Sequence, residues 1–490
     1  MAVEGVTPAD RAASVIERMN VLEPTRRHRL IVATIGLALF FDMFEIFMSG
    51  VLGAVLTDRY ALTRTQTSGV LASVFVGMFI GVAVTGRLAD RFGRRRVMLA
   101  SVAVYTVFSA VGALVDGAWA VAGARVLAGV GIGPVLPLAD AYLSDLLPAR
   151  HRGRYTAWAY TVGFLGVPAV GLLARWVVPL SPLGLDGWRW LLLLGSIGGV
   201  VILLLRRVLV ESPRWLASVG RVQEAETILH ALGGGTTAVP APAPATAPVV
   251  PSKTAPAAPP GTREAARRLL GRPVLRRRMV MMAVFHVLAA FGGYGFGTMA
   301  PLVLSQKGFS IVHSLLFSAL TFAGYPLGSL LSLPLIERFE RKHLIVVSAL
   351  GMAASGVVFG TARSEWLIVA AGVCNTAVTN VFSNSYHVYQ AEIFPTRLRS
   401  TAVNWTYSLS RVTSAAMPFL LVPMLGDFGP GVLFAFVAAT LLLITLDIGL
   451  FGPATTGRAL EDVNALDGAD PGADPAPGRP GRAPAAVENA

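Results

Sequence analysis

Twelve apolar stretches, each near the length of a membrane-crossing helix, decide what this chain can fold into. They are 30–52, 68–88, 97–115, 118–143, 155–178, 188–209, 279–304, 311–336, 344–362, 366–390, 401–425 and 430–452. A helix needs about 20 mostly apolar residues to cross the hydrocarbon core of a bilayer. The composition agrees: 54% of residues are hydrophobic and 14% charged, with mean hydropathy +0.62. Soluble domains carry about a quarter charged residues, so a string of them is excluded. The apolar content excludes a disordered chain, and the single cysteine, Cys374, excludes a disulfide-stapled one. The 29 mostly polar residues before the first stretch, with no small-residue cleavage site after it, argue against a cleaved signal peptide.

Five regions follow. Residues 1–29 are an N-terminal tail, 30–210 and 279–452 hold six spans each, 211–278 connect them, and 453–490 form a Gly/Pro/Ala/Asp-rich tail expected to be disordered. Within the connection, 214–232 has an amphipathic pattern. Residues 233–262 contain eight prolines and read as a flexible linker, and 263–278 is basic and helical. The alternate loops that include both tails carry 33 lysines and arginines, against 4 in the other set. By the positive-inside rule both termini are expected in the cytoplasm. Topology thereby accounts for the net charge of +13, and no nucleic-acid partner is needed. Three lysines against 38 arginines point to a GC-rich, bacterial source.

The halves align at a constant offset of 247. Asp90-Arg91-Phe92-x-Arg94-Arg95 falls on Glu337-Arg338-Phe339-x-Arg341-Lys342, and Asp145-x-x-Pro148-x-Arg150-x-Arg152 falls on Glu392-x-x-Pro395-x-Arg397-x-Arg399. Positive-inside charge alone does not explain acids and prolines at matching places. Six spans per half is an even number, so the repeats run parallel, related by a pseudo-twofold along the membrane normal. In such an architecture two bundles rock about a central site.

These motifs resemble the major facilitator superfamily, across roughly residues 30–452. Gly86-Arg87-Leu88-Ala89-Asp90-Arg91-Phe92-Gly93-Arg94-Arg95-Arg96 is similar to its loop 2–3 signature, and Arg125-x-x-x-Gly129-x-Gly131 to its span 4 signature. Glu211-Ser212-Pro213-Arg214-Trp215-Leu216, Asp145…Arg152-Gly153 and Glu392…Arg399 resemble the sugar-porter branch. Glu337, Glu340 and Ser400 depart from the pattern. The resemblance implies an all-α membrane protein of twelve helices in two six-helix bundles. It also implies a cytoplasmic gate of Asp90, Arg91, Arg94, Asp145, Arg152, Glu211 and Arg214 meeting Glu337, Arg338, Arg341, Glu392 and Arg399.

Of the charges inside spans, four matter most: Asp42, Glu45, Arg125 and Arg411. A charge at the bilayer centre costs several kcal/mol unless it meets a partner or water. Asp42 and Glu45 are three apart and share a helix face. Glu45 and Arg125 each lie seven residues from the outer ends of their spans, which matches them in depth. Asp42-Met43-Phe44-Glu45 resembles the acid-x-x-acid motif of aromatic-acid:proton symporters, with Met43 in place of a glycine; Arg411 with Pro418 is similar to their span 11. Desolvation favours a neutral acid and an arginine neighbour favours a carboxylate, so such a pair can load and release a proton. Glu45 is assigned the proton, Asp42 a coupled role and Arg125 the modulation. Arg411 is assigned a substrate carboxylate, with Asp42, Tyr294, Asn384 and Trp405 as further binding candidates. A purely structural buried ion pair is the alternative for each. Glycines 292, 293, 295 and 297 predict a pliable, broken or closely packed span 7.

The expected function is proton-coupled symport of a small organic acid or related metabolite across the bacterial cytoplasmic membrane, by a monomer whose partners are substrate, protons and lipid. Efflux of organic cations or drugs and a non-transporting solute sensor are the alternatives. No cofactor or metal is expected. An enzyme is not expected either, since the sequence carries no zinc HExxH, no GxSxG and no phosphate-cradling loop. A reporter fused after Gly426 is expected on the face opposite both termini; one found on the same face as the termini overturns the topology.

Overall fold

The computed structural model describes residues 14, 15, 17–19, 22–148, 151–233 and 262–456. The expected Pro/Ala-rich linker and the C-terminal tail beyond residue 456 lie outside the described residues. Among those described there are helices and loops and no strand. In lipid this follows from hydrogen bonding, because only a structure that satisfies its own amides can span.

Spans 1 to 3 are Arg26–Tyr60, Arg64–Phe92 and Arg94–Leu114. Span 4 joins Ala118–Ile132 to Val135–Leu146, and span 5 joins Arg152–Phe164 to Gly166–Val177; span 6 is Gly187–Leu204. Span 7 joins Pro273–Ala290 to Phe296–Gln306 through a wider π turn, Phe291–Gly295. Span 8 joins Ile311–Phe322 to Gly324–Arg338, and spans 9 and 10 are Arg341–Thr361 and Glu365–Glu392. The short helices Pro213–Ser218, Val222–Leu232 and Thr262–Gly271 lie between the halves.

Spans 11 and 12 are drawn from one 56-residue helix, Thr396–Phe451, broken at Gly429 with φ 79° and ψ 177°. At 1.5 Å per residue an unbroken helix would reach about 84 Å, nearly three times the hydrocarbon thickness. The break turns the chain back along span 9. A Cβ on Gly360 would come within 3.0 Å of the Pro430 carbonyl at one end, and Lys342 Nζ donates to the Gly452 carbonyl at 2.9 Å at the other. Among the described residues eleven helices are long and apolar enough to cross, and the break makes the last of them two spans.

The buried apolar residues form three main clusters. The first mixes the halves, with Phe47, Val74 and Leu192 packed with Phe322, Leu421 and Phe434. The second is built of residues from Leu269 to Ile448 alone, and the third of residues from Met19 to Leu232 alone. The halves thus share one core away from the arginine-rich loops and part into two beside them. Contacts across the shared side are close. Added Cβ atoms would meet Thr298 backbone from Gly50 at 2.9 Å and Ala319 from Gly171 at 2.8 Å. Ser68 Oγ donates to the Pro418 carbonyl at 3.0 Å, and Arg64 pairs with Asp427.

At the arginine-rich end the repeat is closed by carboxylates holding backbone amides, in opposite senses. In the first half Glu211 Oε1 accepts from the amides of Arg95 and Ser212, each at 3.1 Å. Gly93, at φ 95°, leaves room for it, since a Cβ there would fall 2.5 Å from Glu211 Oε2. In the second half Glu340 stands at the matching position with ordinary φ, −60°, and its own carboxylate accepts from the amides of Thr455 and Thr456 at 3.0 and 3.2 Å. Burial pushes the Glu340 carboxyl up, and these amides, with others nearby, outweigh it and hold it below the ordinary 4.5. A lowered folded value means the contact is present above 4.5 and lost as pH falls through that lowered value. Glu340→Gln should therefore speed exchange of the Thr455 and Thr456 amides roughly tenfold at neutral pH. The wild type should show the same loss of protection only in acid.

Candidate functional site

Span 1 brings two acids into the middle of the first bundle, and neither has any solvent exposure: Asp42 and Glu45 are both 0% exposed. Glu45 has a full set of partners. Its Oε2 pairs with Arg125 Nη1, and Ser109 Oγ donates to Oε1 at 2.8 Å. Arg125 Nη2 donates to the Glu45 carbonyl at 2.6 Å and to Ser49 Oγ at 3.2 Å. The arginine therefore grips both backbone and side chain of one residue. Span 6 makes the space, because a Cβ on Gly195 would lie 2.1 Å from Glu45 Oε1. Asp42 differs. Both its carboxylate oxygens are buried with no hydrogen-bond partner among the described residues, as is the Tyr105 hydroxyl. A buried polar atom left this way costs about 1–3 kcal/mol or more, and a charge still more.

Beside this cluster a cavity of about 110 Å³ opens between the halves. Met43 and Phe47 of span 1 and Tyr160 and Phe164 of span 5 face Tyr294, Tyr325, Asn380, Asn384, Tyr386 and Tyr407 of the second half. The π turn in span 7 answers the expectation raised by its glycines: the helix widens by one residue per turn and carries Tyr294 into the cavity wall. Arg411, 1% exposed, lies behind that wall. Its guanidinium donates to the Tyr294 hydroxyl at 3.0 Å and the Tyr407 hydroxyl at 2.7 Å, and sits over both rings at 5.2 and 5.0 Å. Asn384 Nδ2 donates to Ser332 Oγ at 2.7 Å, and buried His286 and Gln390 form a chain with half-buried His387, with contacts of 3.1 and 3.2 Å.

Trp405 is a correction to the sequence reading. It is 36% exposed and does not line the cavity, because its position on span 11 faces away from the Ser410 and Tyr407 side. Arg411 is near the cavity but does not itself line it.

The residues expected to form a gate fall into two clusters. Arg94 contacts Asp90 at 3.5 Å and Asp145 at 3.4 Å, Ser212 Oγ donates to Asp145 at 2.7 Å, and Arg214 donates to the Asp145 carbonyl at 3.2 Å. In the other half Arg341 contacts Glu392 at 3.4 Å, the symmetry mate of Arg94–Asp145. Each of these pairs stays within its own half, in keeping with the parted cores at this end. Arg91 and Arg338 are exposed, Arg152 and Arg399 are half-buried, and the Glu337 side chain lies outside the described set. Sequence reading missed Ser49, Tyr105, Ser109 and Gly195. The signal for two of them was present, since Tyr105 and Ser109 are four apart on one face of span 3.

Twelve spans in two bundles about a shared cavity, with a charge pair sealed inside one bundle, define a multi-pass membrane transporter of the major facilitator type. The chain belongs to the Sugar (and other) transporter family, whose model matches residues 30–466. YyaJ of Bacillus subtilis (strain 168) is 28% identical over 456 residues, covering 92% of this chain and 98% of the relative. The niacin transporter NiaP of Acinetobacter baylyi is 24% identical over 451 residues, covering 92% and 99%. Among solved structures, the partially occluded inward-open xylose transporter XylE from E. coli matches with TM-score 0.69 at 22% identity, covering 88% of this chain and 98% of that one. XylE as a proton:xylose symporter bound to 6-bromo-6-deoxy-D-glucose matches with TM-score 0.65, also at 22% identity, covering 93% and 100%. These are transporters, and this chain is a transporter and not an enzyme.

The fit of Gly195 against Glu45 is testable. Gly195→Ala should cost about 1–3 kcal/mol by overpacking, read by thermal unfolding. In a Glu45→Ala background the same substitution should cost much less, because the obstructing carboxylate is gone.

Proposed function

We propose that this protein is a proton-coupled symporter that imports a small organic acid, and that Glu45 and Asp42 carry the proton. The observation that carries the reading is the contrast between two fully buried acids one turn apart, one gripped by Arg125 and the other without a hydrogen-bond donor among the described residues. A carboxylate in hydrocarbon has two affordable forms, charged and paired or protonated and neutral. Glu45 is built for the first in this conformation, and Asp42 has no hydrogen-bond partner for it among the described residues, with Arg411 acting on it only through space. Motion that separates Arg125 from Glu45 favours proton uptake there, and re-pairing favours release. The parted cores beside the arginine-rich loops support a cavity reached from that side, which the charge bias of the loops assigns to the cytoplasm. The bacterial cytoplasmic membrane is the expected location. One chain suffices, since both halves of the cavity come from it.

The substrate reading rests on Arg411. Because the Tyr294 and Tyr407 hydroxyls accept from its guanidinium, their own protons remain free to donate into the cavity. Two polarised phenol donors backed by a fixed positive charge suit a carboxylate. The same charge counts against an organic cation, the substrate of the efflux alternative. The niacin transporter among the relatives supports a small acid, and the xylose symporter keeps a neutral sugar as the competing substrate. In this reading the Arg94–Asp145 and Arg341–Glu392 clusters anchor the two bundles and meet when the cytoplasmic side closes.

Glu45→Gln should retain exchange of labelled nicotinate across proteoliposomes while losing uphill accumulation driven by a pH gradient. Asp42→Asn should impair both. A Glu45→Gln protein that still concentrates substrate in response to an imposed pH gradient removes Glu45 from the coupling. Faster uptake of D-xylose than of nicotinate overturns the acid reading while leaving the coupling intact.

A further inference from the structure

A second depression, of about 650 Å³, lies on the outside of the second bundle between the start of span 7 and the end of span 12. Its upper rim is Pro273, Arg276, Arg277 and Phe451, and its floor and walls are Val280, Val284, Leu288, Leu443 and Leu446. The flanking side chains are open to the membrane rather than packed: Val280 is 57% exposed, Leu443 52%, Leu446 55% and Leu450 69%. From Arg276 to Leu288 the groove descends twelve residues, about 18 Å at 1.5 Å per residue, or some two thirds of one leaflet pair's hydrocarbon.

The arginines divide their work. Of the run Arg276-Arg277-Arg278, Arg278 is 5% exposed and donates to the Ile393 carbonyl at 2.7 Å, so it serves the fold. Arg276 and Arg277 line the groove instead, with the Arg277 guanidinium held over the Phe451 ring at 5.0 Å. Asp447 lines it too, and its Oδ2 is buried with no hydrogen-bond partner among the described residues. The groove's charged lining therefore sums to one positive charge and also presents an acceptor that lacks a donor.

We propose that this groove holds one phosphatidylglycerol molecule from the leaflet at the arginine-rich face. The phosphodiester lies between Arg276 and Arg277, an acyl chain follows Val280, Val284 and Leu288, and a headgroup hydroxyl donates to Asp447. The occupant's single negative charge balances the lining. A phosphate free in solution does not fit, because the length of the site is apolar wall that only an acyl chain covers. Basic pockets between transmembrane helices on the cytoplasmic side bind anionic headgroups on the same electrostatic ground. The site is separate from the transport cavity and does not rest on the transport reading.

The test is native mass spectrometry of the full chain from mixed micelles with phosphatidylglycerol or phosphatidylcholine. One phosphatidylglycerol should remain bound, while phosphatidylcholine, with no donor and no net charge, should not. The Arg276→Ala/Arg277→Ala variant should bind it about 30-fold more weakly, the expected effect of losing two arginine contacts with an anionic headgroup. Val284→Trp, which fills the groove and leaves both arginines in place, should also lose the lipid. Unchanged thermal unfolding in either variant shows that the fold is intact. Equal retention of both lipids, retention by both variants, or displacement by millimolar inorganic phosphate overturns the proposal.

Discussion

Inside a bilayer no water stands ready to hydrogen-bond a stranded charge, and the first half of this protein is arranged around that fact. Arg125 and Glu45 are both sealed, 1% and 0% exposed. Breaking such a pair by removing one partner leaves the other charged in hydrocarbon. The surrounding sequence therefore serves the pair. Gly195 clears space, Ser109 and Ser49 supply the remaining donor and acceptor, and the Glu45 carbonyl takes the second arm of the guanidinium. Spans 1, 3, 4 and 6 are tied at one point, which gives the bundle a reason to move as a unit.

The second half repeats the scaffold and changes the chemistry. Arg94–Asp145 and Arg341–Glu392 have the same 3.4 Å contact at the same offset. Yet Arg411, a buried arginine of the second half, has tyrosine hydroxyls for hydrogen-bond partners where Arg125 has a carboxylate. A charge compensated by neutral dipoles keeps its field, and one compensated by an acid largely cancels it. The duplicated frame thus carries one arginine neutralised by direct pairing and one, Arg411, on which the buried acid Asp42 acts only through space.

Much of this was legible in residues alone. Span count followed from apolar length, and the matched depth of Glu45 and Arg125 followed from counting residues to the span ends. What escaped was rotation about helix axes. Trp405 and Tyr407 are two apart, and only the packing of span 11 shows that the tyrosine faces the cavity and the tryptophan does not. Arg411 was assigned a substrate carboxylate, but nothing in its spacing from Tyr294 revealed that the two touch across spans. The residues expected to form a gate were named as one set, and their division into two clusters depends on how far apart the bundles stand, which sequence does not encode. Glu340 was visible as a departure from the repeat. Its reason, the segment after span 12 folded back onto it, involves residues more than a hundred positions away.

The π turn at Phe291–Gly295 has a consequence for comparing this chain with others. It accommodates one residue more than an α turn, so the helical wheel before it and the wheel after it are out of phase by about 100°. Residues of span 7 that share a spacing of seven across the turn do not share a face. A homologous chain lacking one residue there would need no gap in its function, only a regular helix. A gap-free alignment of the two would then match cavity residues on one side of the turn and mismatch every one on the other.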